Sequence, residues 1–367
     1  MAPEVIRKYV LRWTTIVPVL AFIALAFSWN RDVPWVVLAV EAGLLVVTVM
    51  AGVHHAELIA HRVGEPFGSL ILAVAVTVIE VGLIVMLMIS GKGDVSTLAR
   101  DTVFAAVMLT MNGIVGLSLL AGAAKYHLVS FNSEGTGSAL GTTLTLVGLT
   151  LVLPAFTTSN PSPVLVPGQL VFVAVASIVL YGSFVFTQTI RHRDFFLPPA
   201  DLEKLDDEDA HAAKPSNRRT ILSLVLLMIS LVSVVGLAKV ESPTIQAGVT
   251  WLGLPQSFVG VILAIIVLLP ESIAAFRAAM ANRVQIALNL GYGSALASIG
   301  LTIPVMAVMS IWLPGPLTLG LPPLQLVLLA VSAVVAVLSV VPGRAKTQHG
   351  VLHLVLLAAF ITLSILP

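Results

Sequence analysis

Two glutamates, Glu80 and Glu271, lie inside long apolar stretches of the sequence. Placing an acidic residue at the centre of a membrane helix costs about 2.5–3.5 kcal/mol on insertion scales, and acids kept there usually mark ion or proton paths. A carboxylate binds hard cations such as Ca²⁺ and also binds protons. The two residues therefore predict a site for a metal cation and for protons. The alternative is a pair of structural glutamates that hydrogen-bond to neighbouring helices.

Further oxygen atoms near the two glutamates could line such a site. Pro270 has no N–H, so the carbonyl of Ile266 loses its helical partner and can face a cation. Thr77 precedes Glu80 by about one helical turn and shares its face. The helix after each glutamate is rich in small and polar residues, which suit either a hard cation or close helix packing. The lining residues predicted in these helices are Asn112, Asn289 and Ser294.

Four other polar residues stand out in the first part of the chain. Glu41 falls inside the second predicted helix, where it is either a third proton site or a lone acid that faces a helix neighbour. His54, Glu57 and His61 follow at i, i+3 and i+7 spacing, on one face of a short helix. Such a face suits a cytoplasmic cation or pH sensor, although an interfacial amphipathic connector is the favoured interpretation.

The composition indicates that a lipid bilayer surrounds most of the chain. Of the 367 residues, 58% are hydrophobic and only 10% are charged, against about a quarter charged in soluble domains. Because lipid offers no hydrogen bonds, the spanning elements must be helices or a closed barrel, and the continuous apolar runs favour helices. The absence of cysteine excludes disulfides, thiolate metal sites and cysteine nucleophiles.

Hydropathy predicts an all-α polytopic membrane protein with about eleven transmembrane helices. With the N-terminus in the cytoplasm, 15 of the 19 Lys and Arg residues fall on the cytoplasmic side, as the positive-inside rule requires, and the C-terminus lies outside. A short amphipathic stretch is predicted at 53–66. The predicted helices span 12–29, 33–52, 67–90, 101–122, 141–158, 165–190, 220–238, 256–280, 284–312, 323–341 and 349–366.

The same pattern predicts four segments along the chain. Residues 1–32 form a leader helix and 33–190 a first set of five helices. An acidic cytoplasmic linker follows at 191–219, and 220–367 form a second set of five. A repeat with an odd number of helices is inverted in the membrane, which is typical of secondary transporters. The tripeptide Ile-Leu-Ala stands at the same offset before each glutamate, at 71–73 and at 262–264.

Three motifs resemble the calcium/cation antiporter superfamily, and within it the bacterial ChaA-type calcium (sodium)/proton antiporters. They are the segment from His54 to Leu72 that leads to Glu80, the dipeptide Pro270-Glu271, and Asn282-Arg283-Val284-Gln285 with Asn289-Leu290. The resemblance covers essentially the whole chain. It implies a leader helix, two inverted five-helix exchanger-like repeats, an inner-membrane location, and an acidic glutamate on the second helix of each repeat. Glu80 and Glu271 match those two positions.

The chain departs from the wider superfamily in the residues that precede the two glutamates. The superfamily pattern is Gly-Asn-x-x-Glu, whereas this chain has Val76-Thr77-Val78-Ile79-Glu80 and Val267-Leu268-Leu269-Pro270-Glu271. The missing amide ligands leave the coordination sphere, and with it the choice of cation, open.

These observations predict a secondary transporter that exchanges Ca²⁺, and also Na⁺ or K⁺, for H⁺ by alternating access. Two ionised glutamates are neutralised by one Ca²⁺ or by two protons, while the empty site would carry two negative charges in a low-dielectric medium. A monovalent cation/H⁺ antiporter with little Ca²⁺ activity is the alternative. The expected partners are the transported cations, protons and the lipid bilayer, with no nucleic acid and no cofactor.

Two other classes of protein, a membrane-embedded enzyme and a channel, agree less well with the sequence than a transporter does. A membrane metalloprotease needs His-Glu-x-x-His on a helix, which His55-Ala56-Glu57 does not supply. A membrane serine protease needs a histidine base deep in the bundle, and most histidines are predicted at interfaces or in loops. A channel tolerates a permanently charged pore and only dissipates a gradient, whereas an antiporter builds one gradient from another.

Overall fold

The structure is a computed structural model that describes residues 13–31, 33–64, 67–90, 96–160, 163–198, 215–312 and 315–366. The acidic segment 201–209 of the predicted linker lies outside the described residues. Eleven long helices are present in the described part, and ten are long and apolar enough to cross a membrane, which confirms the predicted fold class. They are α1 (Trp13–Ser28), α2 (Trp35–Val63), α3 (Phe67–Ser90), α4 (Leu98–Tyr126), α5 (Ser133–Ala155), α6 (Pro167–Arg191), α7 (Asn217–Trp251), α8 (Phe258–Met280), α9 (Val284–Met309), α10 (Pro323–Val340) and α11 (Thr347–Ile365).

Three helix ends differ from the prediction by two helical turns or more. Helix α2 continues to Val63, so the amphipathic stretch is the last part of this helix and not a separate short connector. Helix α7 continues to Trp251 instead of ending near 238. Helix α5 begins at Ser133 instead of 141, where the Asn132 side chain caps the first turn by accepting from the N–H of Glu134 at 2.9 Å.

Three of the helices contain a π-helical turn. These wider turns span Leu109–Ile114 in α4, Gly148–Val152 in α5 and Thr187–Arg191 in α6. A π turn inserts one extra residue into a helical turn and is frequent at functional sites. The turn in α4 contains Asn112, one of the predicted lining residues.

Large apolar side chains cover much of the helical exterior. Val171 on α6, Ile221 on α7, Val334 on α10 and Val355 on α11 are all exposed. A soluble protein of this size would not present so many contiguous apolar side chains to water. The exterior therefore agrees with helices that contact lipid.

One compact unit comprises residues up to 95 together with 213–259, which include α1, α2, α3 and α7. Helix α7 packs against the other three helices. Small residues set these close approaches: a Cβ on Gly236 would lie 2.4 Å from Leu25 Cδ2, and a Cβ on Gly82 would lie 2.5 Å from Val235 Cγ2. A side chain at either glycine would require Leu25 or Val235 to move, so the two glycines favour the close approach of α7 to α1 and α3.

The second compact unit comprises residues 96–212 and 260–367, with α4 to α6, nearly all of α8, and α9 to α11. Helix α11 packs on α4, and α9 packs on α5 and α6. Two short strands, β1 (Val129–Ser130) and β2 (Arg344–Ala345), pair antiparallel with Val129 opposite Ala345. They join the turn before α5 to the turn before α11.

Candidate cation and proton site

Glu80 lies in the middle of α3 in the first unit and is only 3% exposed. The close approach of α3 to α7 at Gly82, two residues further on, holds this part of the helix in the interior. Thr77, one turn earlier, is also buried. The structure thus places both predicted α3 residues in the interior of the unit, away from the exposed apolar surface.

Glu271 lies in α8 in the second unit and is half-buried. Pro270 stands directly before it inside the helix, so the carbonyl of Ile266 has no N–H to accept at the usual position. The next residue, Ser272, donates its hydroxyl to a different carbonyl, that of Leu268, at 2.7 Å. Glu80 and Glu271 belong to different units, and the prediction that their carboxylates meet stays a prediction.

Asn112 is wholly buried in the second unit, in the π turn of α4. Its amide nitrogen donates to Ser332 Oγ of α10 at 2.9 Å, and its carbonyl oxygen lies 3.1 Å from Nδ1 of His353 on α11. The other ring nitrogen of His353 lies 3.2 Å from Ser339 Oγ. This network joins three helices, and the sequence analysis missed His353 because it expected most histidines at interfaces.

Asn289 on α9 also has defined partners. Its amide nitrogen donates to the carbonyl of Phe196 at 2.6 Å, and its carbonyl oxygen accepts from Gln285 at 2.9 Å. Gln285 in turn accepts from the backbone N–H of Asn132 at 2.6 Å. These bonds connect α9 to the start of α5 and to the short helix that follows α6. Ser294, the other predicted lining residue on α9, is half-buried.

Glu41 on α2 has neighbours on two other helices of the first unit. The Ser28 hydroxyl at the end of α1 donates a hydrogen bond to Glu41 Oε1. Helix α2 also packs against α7, which contains the buried Glu241. The sequence analysis missed Glu241, because it ended the seventh helix before this residue.

The predicted sensor residues lie in the last turns of α2. His54 Nδ1 is 4.0 Å from Glu57 Oε2, and both side chains are partly exposed, as is His61. The neighbouring His55 is buried instead, with Nε2 2.8 Å from the carbonyl of Thr14 on α1. Within the described ranges no group of three or more His, Cys, Asp or Glu side chains could hold a metal ion. A sensor role for these residues stays a prediction.

The ten described helices of membrane-spanning length and the apolar exterior define a multi-pass membrane protein. The sequence profile of the sodium/calcium exchanger protein family matches residues 33–190 and 222–366. The chain therefore belongs to this family, within the calcium/cation antiporter superfamily, and is of the ChaA type. It is a cation exchanger and not an enzyme.

Individual relatives cover nearly the whole chain. The protein y4hA of Sinorhizobium fredii is 42% identical over 371 residues, with 99% of each chain covered. The sodium-potassium/proton antiporter ChaA of Escherichia coli is 33% identical over 365 residues, with 98% of each chain covered. The crystal structure of the H⁺/Ca²⁺ exchanger CAX has a TM-score of 0.72 at 14% identity, covering 97% of this chain and 88% of that one, and so supports the fold.

Proposed function

We propose that the protein exchanges Ca²⁺, and also Na⁺ or K⁺, for H⁺ across the bacterial inner membrane by alternating access. The observation that carries the proposal is the burial of Glu80 in the middle of membrane helix α3 of an exchanger-family chain. An acid retained at such a position usually lies on an ion or proton path. In the proposal Glu271 supplies the second carboxylate of the site.

Charge balance explains why such a site would couple the two ions. One Ca²⁺ or two protons neutralise two carboxylates, whereas the empty ionised pair would carry two negative charges in a medium of low dielectric constant. The site then changes sides only when it is loaded, because the empty state is strongly disfavoured. Obligate exchange follows from the electrostatics, and no separate gate is needed to prevent leakage.

We assign the predicted lining residues to two roles. The hydroxyl of Thr77, the freed carbonyl of Ile266 and the hydroxyl of Ser294 supply oxygen atoms to the cation, which suit Ca²⁺ or Na⁺ equally. Asn112 and Asn289 position the helices, since their amides already bond to Ser332 and to the carbonyl of Phe196. This division is part of the proposal.

Charge and similarity to known proteins both bear on which cation is transported. Two carboxylates balance one divalent ion without further charge, which favours Ca²⁺, as does the likeness in fold to the H⁺/Ca²⁺ exchanger CAX. The second candidate is a monovalent cation/H⁺ antiporter with little Ca²⁺ activity. It is favoured by the 33% identity to the sodium-potassium/proton antiporter of Escherichia coli.

For the membrane arrangement we propose a leader helix at 1–32, inverted repeats at 33–190 and 220–367, and a cytoplasmic linker at 191–219 between them. The N-terminus is cytoplasmic and the C-terminus external in this arrangement. The bias of Lys and Arg supports the orientation. The two separate matches of the family profile, at 33–190 and 222–366, support the repeats.

The test uses purified full-length protein in sealed proteoliposomes with an imposed pH gradient as the only driving force. Uptake of Ca²⁺, Na⁺ and K⁺ is measured in parallel, with protein-free liposomes as the control. We expect Ca²⁺ to accumulate above its outside concentration, because an antiporter converts one gradient into another. Accumulation of Na⁺ or K⁺ without Ca²⁺ would select the second candidate. Failure to concentrate any of the three ions would exclude the proposed exchange.

A further inference from the structure

A second pair of carboxylates lies in the first unit. Glu41 on α2 is 2% exposed and Glu241 on α7 is 1% exposed. Each stands eleven residues, or about three helical turns, from the contact between Gly52 and Ser230, so both lie on the faces by which α2 and α7 meet. The two helices pack against each other. Glu241 therefore provides the neighbour that the sequence analysis could not find for Glu41.

The pair lies at a different depth from Glu80. A Cβ on Gly52 of α2 would lie 3.2 Å from Ser230 Cβ of α7 and 3.6 Å from Ile79 Cδ1. Gly52 and Ser230 therefore lie at the same depth in the unit as Ile79, which is next to Glu80. Glu41 and Glu241 each stand eleven residues from that level, or roughly 16 Å along a helix. They lie towards the end of the unit where α1 finishes at Ser28.

Most of the oxygen atoms of the pair have no hydrogen-bond donor. The Ser28 hydroxyl donates to Glu41 Oε1. In the part of the chain that the structure describes, the second oxygen of Glu41 and both oxygens of Glu241 are buried without a partner, as is the Ser242 hydroxyl. A buried carboxylate without a donor is strongly destabilising when it is ionised. Among the described residues, the hydrogen bonds therefore supply no positive or donating group to three of the four carboxylate oxygens.

The described charged residues of the surrounding helices do not fill this role. Helix α1 contains no titratable side chain, and Glu80 is the one such residue in 71–90 of α3. The Lys239 ammonium of α7 lies 4.0 Å from the ring centroid of Trp29, and the Arg31 guanidinium lies 5.5 Å from that of Phe27. The remaining charged or titratable residues of α2 and α7 are near the other end of the helices: His54, His55, Glu57, His61, Arg62, Arg218 and Arg219.

We propose that Glu41 and Glu241 form a second proton-binding site, in which the two buried carboxylates share one proton. The proton supplies the missing O–H donor between the two side chains and reduces the buried charge from two units to one. The site differs from the proposed transport pair in its residues, and it lies at a different depth from Glu80. It deepens the proposed function by adding a proton position to it, but the binding itself does not depend on which cation is exchanged.

The test is infrared spectroscopy of the purified full-length protein in nanodiscs, in which a protonated carboxyl gives a carbonyl band that shifts in deuterated water. The E80Q/E271Q double variant serves as the background, because it removes the carboxyls of the proposed transport site. We expect this background to retain one buried carboxylic acid band. Adding E241Q is expected to remove the band, because the introduced amide can donate its N–H to an ionised Glu41 and no proton is then required.

Two further variants complete the design. E41Q in the same background is expected to remove the band as well, since its amide can donate to an ionised Glu241, and it serves as the test if E241Q does not fold. E134Q, which changes an exposed carboxylate in the first turn of α5, is the matched control and is expected to leave the band unchanged. A band that neither E41Q nor E241Q changes, or no band in the background, would overturn the proposal. Failure of the proposed exchange is detected separately, by ion uptake.

Discussion

At the scale of single residues, His353 shows how a polar side chain is accommodated among membrane helices. Asn112 uses its amide nitrogen to donate to Ser332, so its carbonyl oxygen must accept from Nδ1–H of His353. The Nε2 atom then accepts from the Ser339 hydroxyl. Both ring nitrogens are satisfied in the neutral imidazole, which removes the main penalty for burying the side chain.

Replacing His353 with alanine should destabilise the protein. The change leaves Asn112 and Ser339 without their partner, and one unsatisfied buried group costs about 1–3 kcal/mol. We expect a lower midpoint of thermal unfolding in detergent. The control is His127→Asn, which changes an exposed histidine outside this network. Equal unfolding midpoints for the wild type and His353→Ala would contradict this account of the network.

Arg100 and Asp101 form an ion pair at the start of α4. The Arg100 Nη2 atom lies 2.7 Å from Asp101 Oδ1, and the Thr97 hydroxyl donates to Asp101 Oδ2 at 2.8 Å. The aspartate is almost fully buried. Arg100→Leu should therefore lower the free energy of unfolding by about 3 kcal/mol, because it leaves a buried charge unpaired.

The double variant Arg100→Leu/Asp101→Asn separates the ion pair from general packing. It should be more stable than Arg100→Leu alone, since no unpaired charge remains. Chemical denaturation followed by circular dichroism measures all three free energies. If the double variant were less stable than Arg100→Leu, the stability lost in Arg100→Leu would have to arise from the packing of the arginine side chain and not from its charge.

At the scale of helices, glycine determines how closely α4 and α11 approach each other. A Cβ on Gly350 of α11 would lie 2.4 Å from the backbone nitrogen of Leu120 on α4. Backbone atoms cannot move aside as a flexible side chain can. A Cβ on Gly113, in the same interface, would lie 3.5 Å from the end of the Leu357 side chain, which is an ordinary contact.

Gly350→Ala should therefore force the two helices apart, whereas Gly113→Ala should not. Overpacking of this kind costs about 1–3 kcal/mol, and the displaced α11 also carries His353 away from Asn112. The thermal unfolding midpoint of each variant, measured in the same detergent, tests the difference. An equal effect of the two substitutions would mean that the helices do not cross at Gly350.

The helices themselves could be predicted from the sequence, but some of their ends could not. Apolar runs of about 20 residues identify membrane helices because the bilayer thickness demands that length. The prediction failed at the end of α2 and of α7, where His55 and Glu241 interrupt the apolar pattern. Both side chains are buried against other helices, His55 with the carbonyl of Thr14 and Glu241 beside Glu41. A hydropathy pattern contains no information about such distant neighbours.

At the scale of the whole molecule, the sequence could predict the family and the helix count, but not which helices pack together. The first unit joins α7 to α1, α2 and α3, so it takes one helix from beyond the linker. The pairs Glu41–Glu241 and Asn112–His353 connect residues that are about 200 or more positions apart. Periodicity within one helix gives its buried face, whereas the partner of that face depends on the tertiary arrangement.

The most direct test of the central claim compares E80Q, E271Q and the wild type for proton-driven cation uptake in proteoliposomes. E134Q serves as the control for loss of an exposed carboxylate, and the amount and folding of each reconstituted protein are matched beforehand. We expect either glutamine substitution to lower coupled uptake at least about tenfold, because it removes more than about 1.4 kcal/mol of cation or proton binding. Uptake at the wild-type rate in both E80Q and E271Q would contradict it.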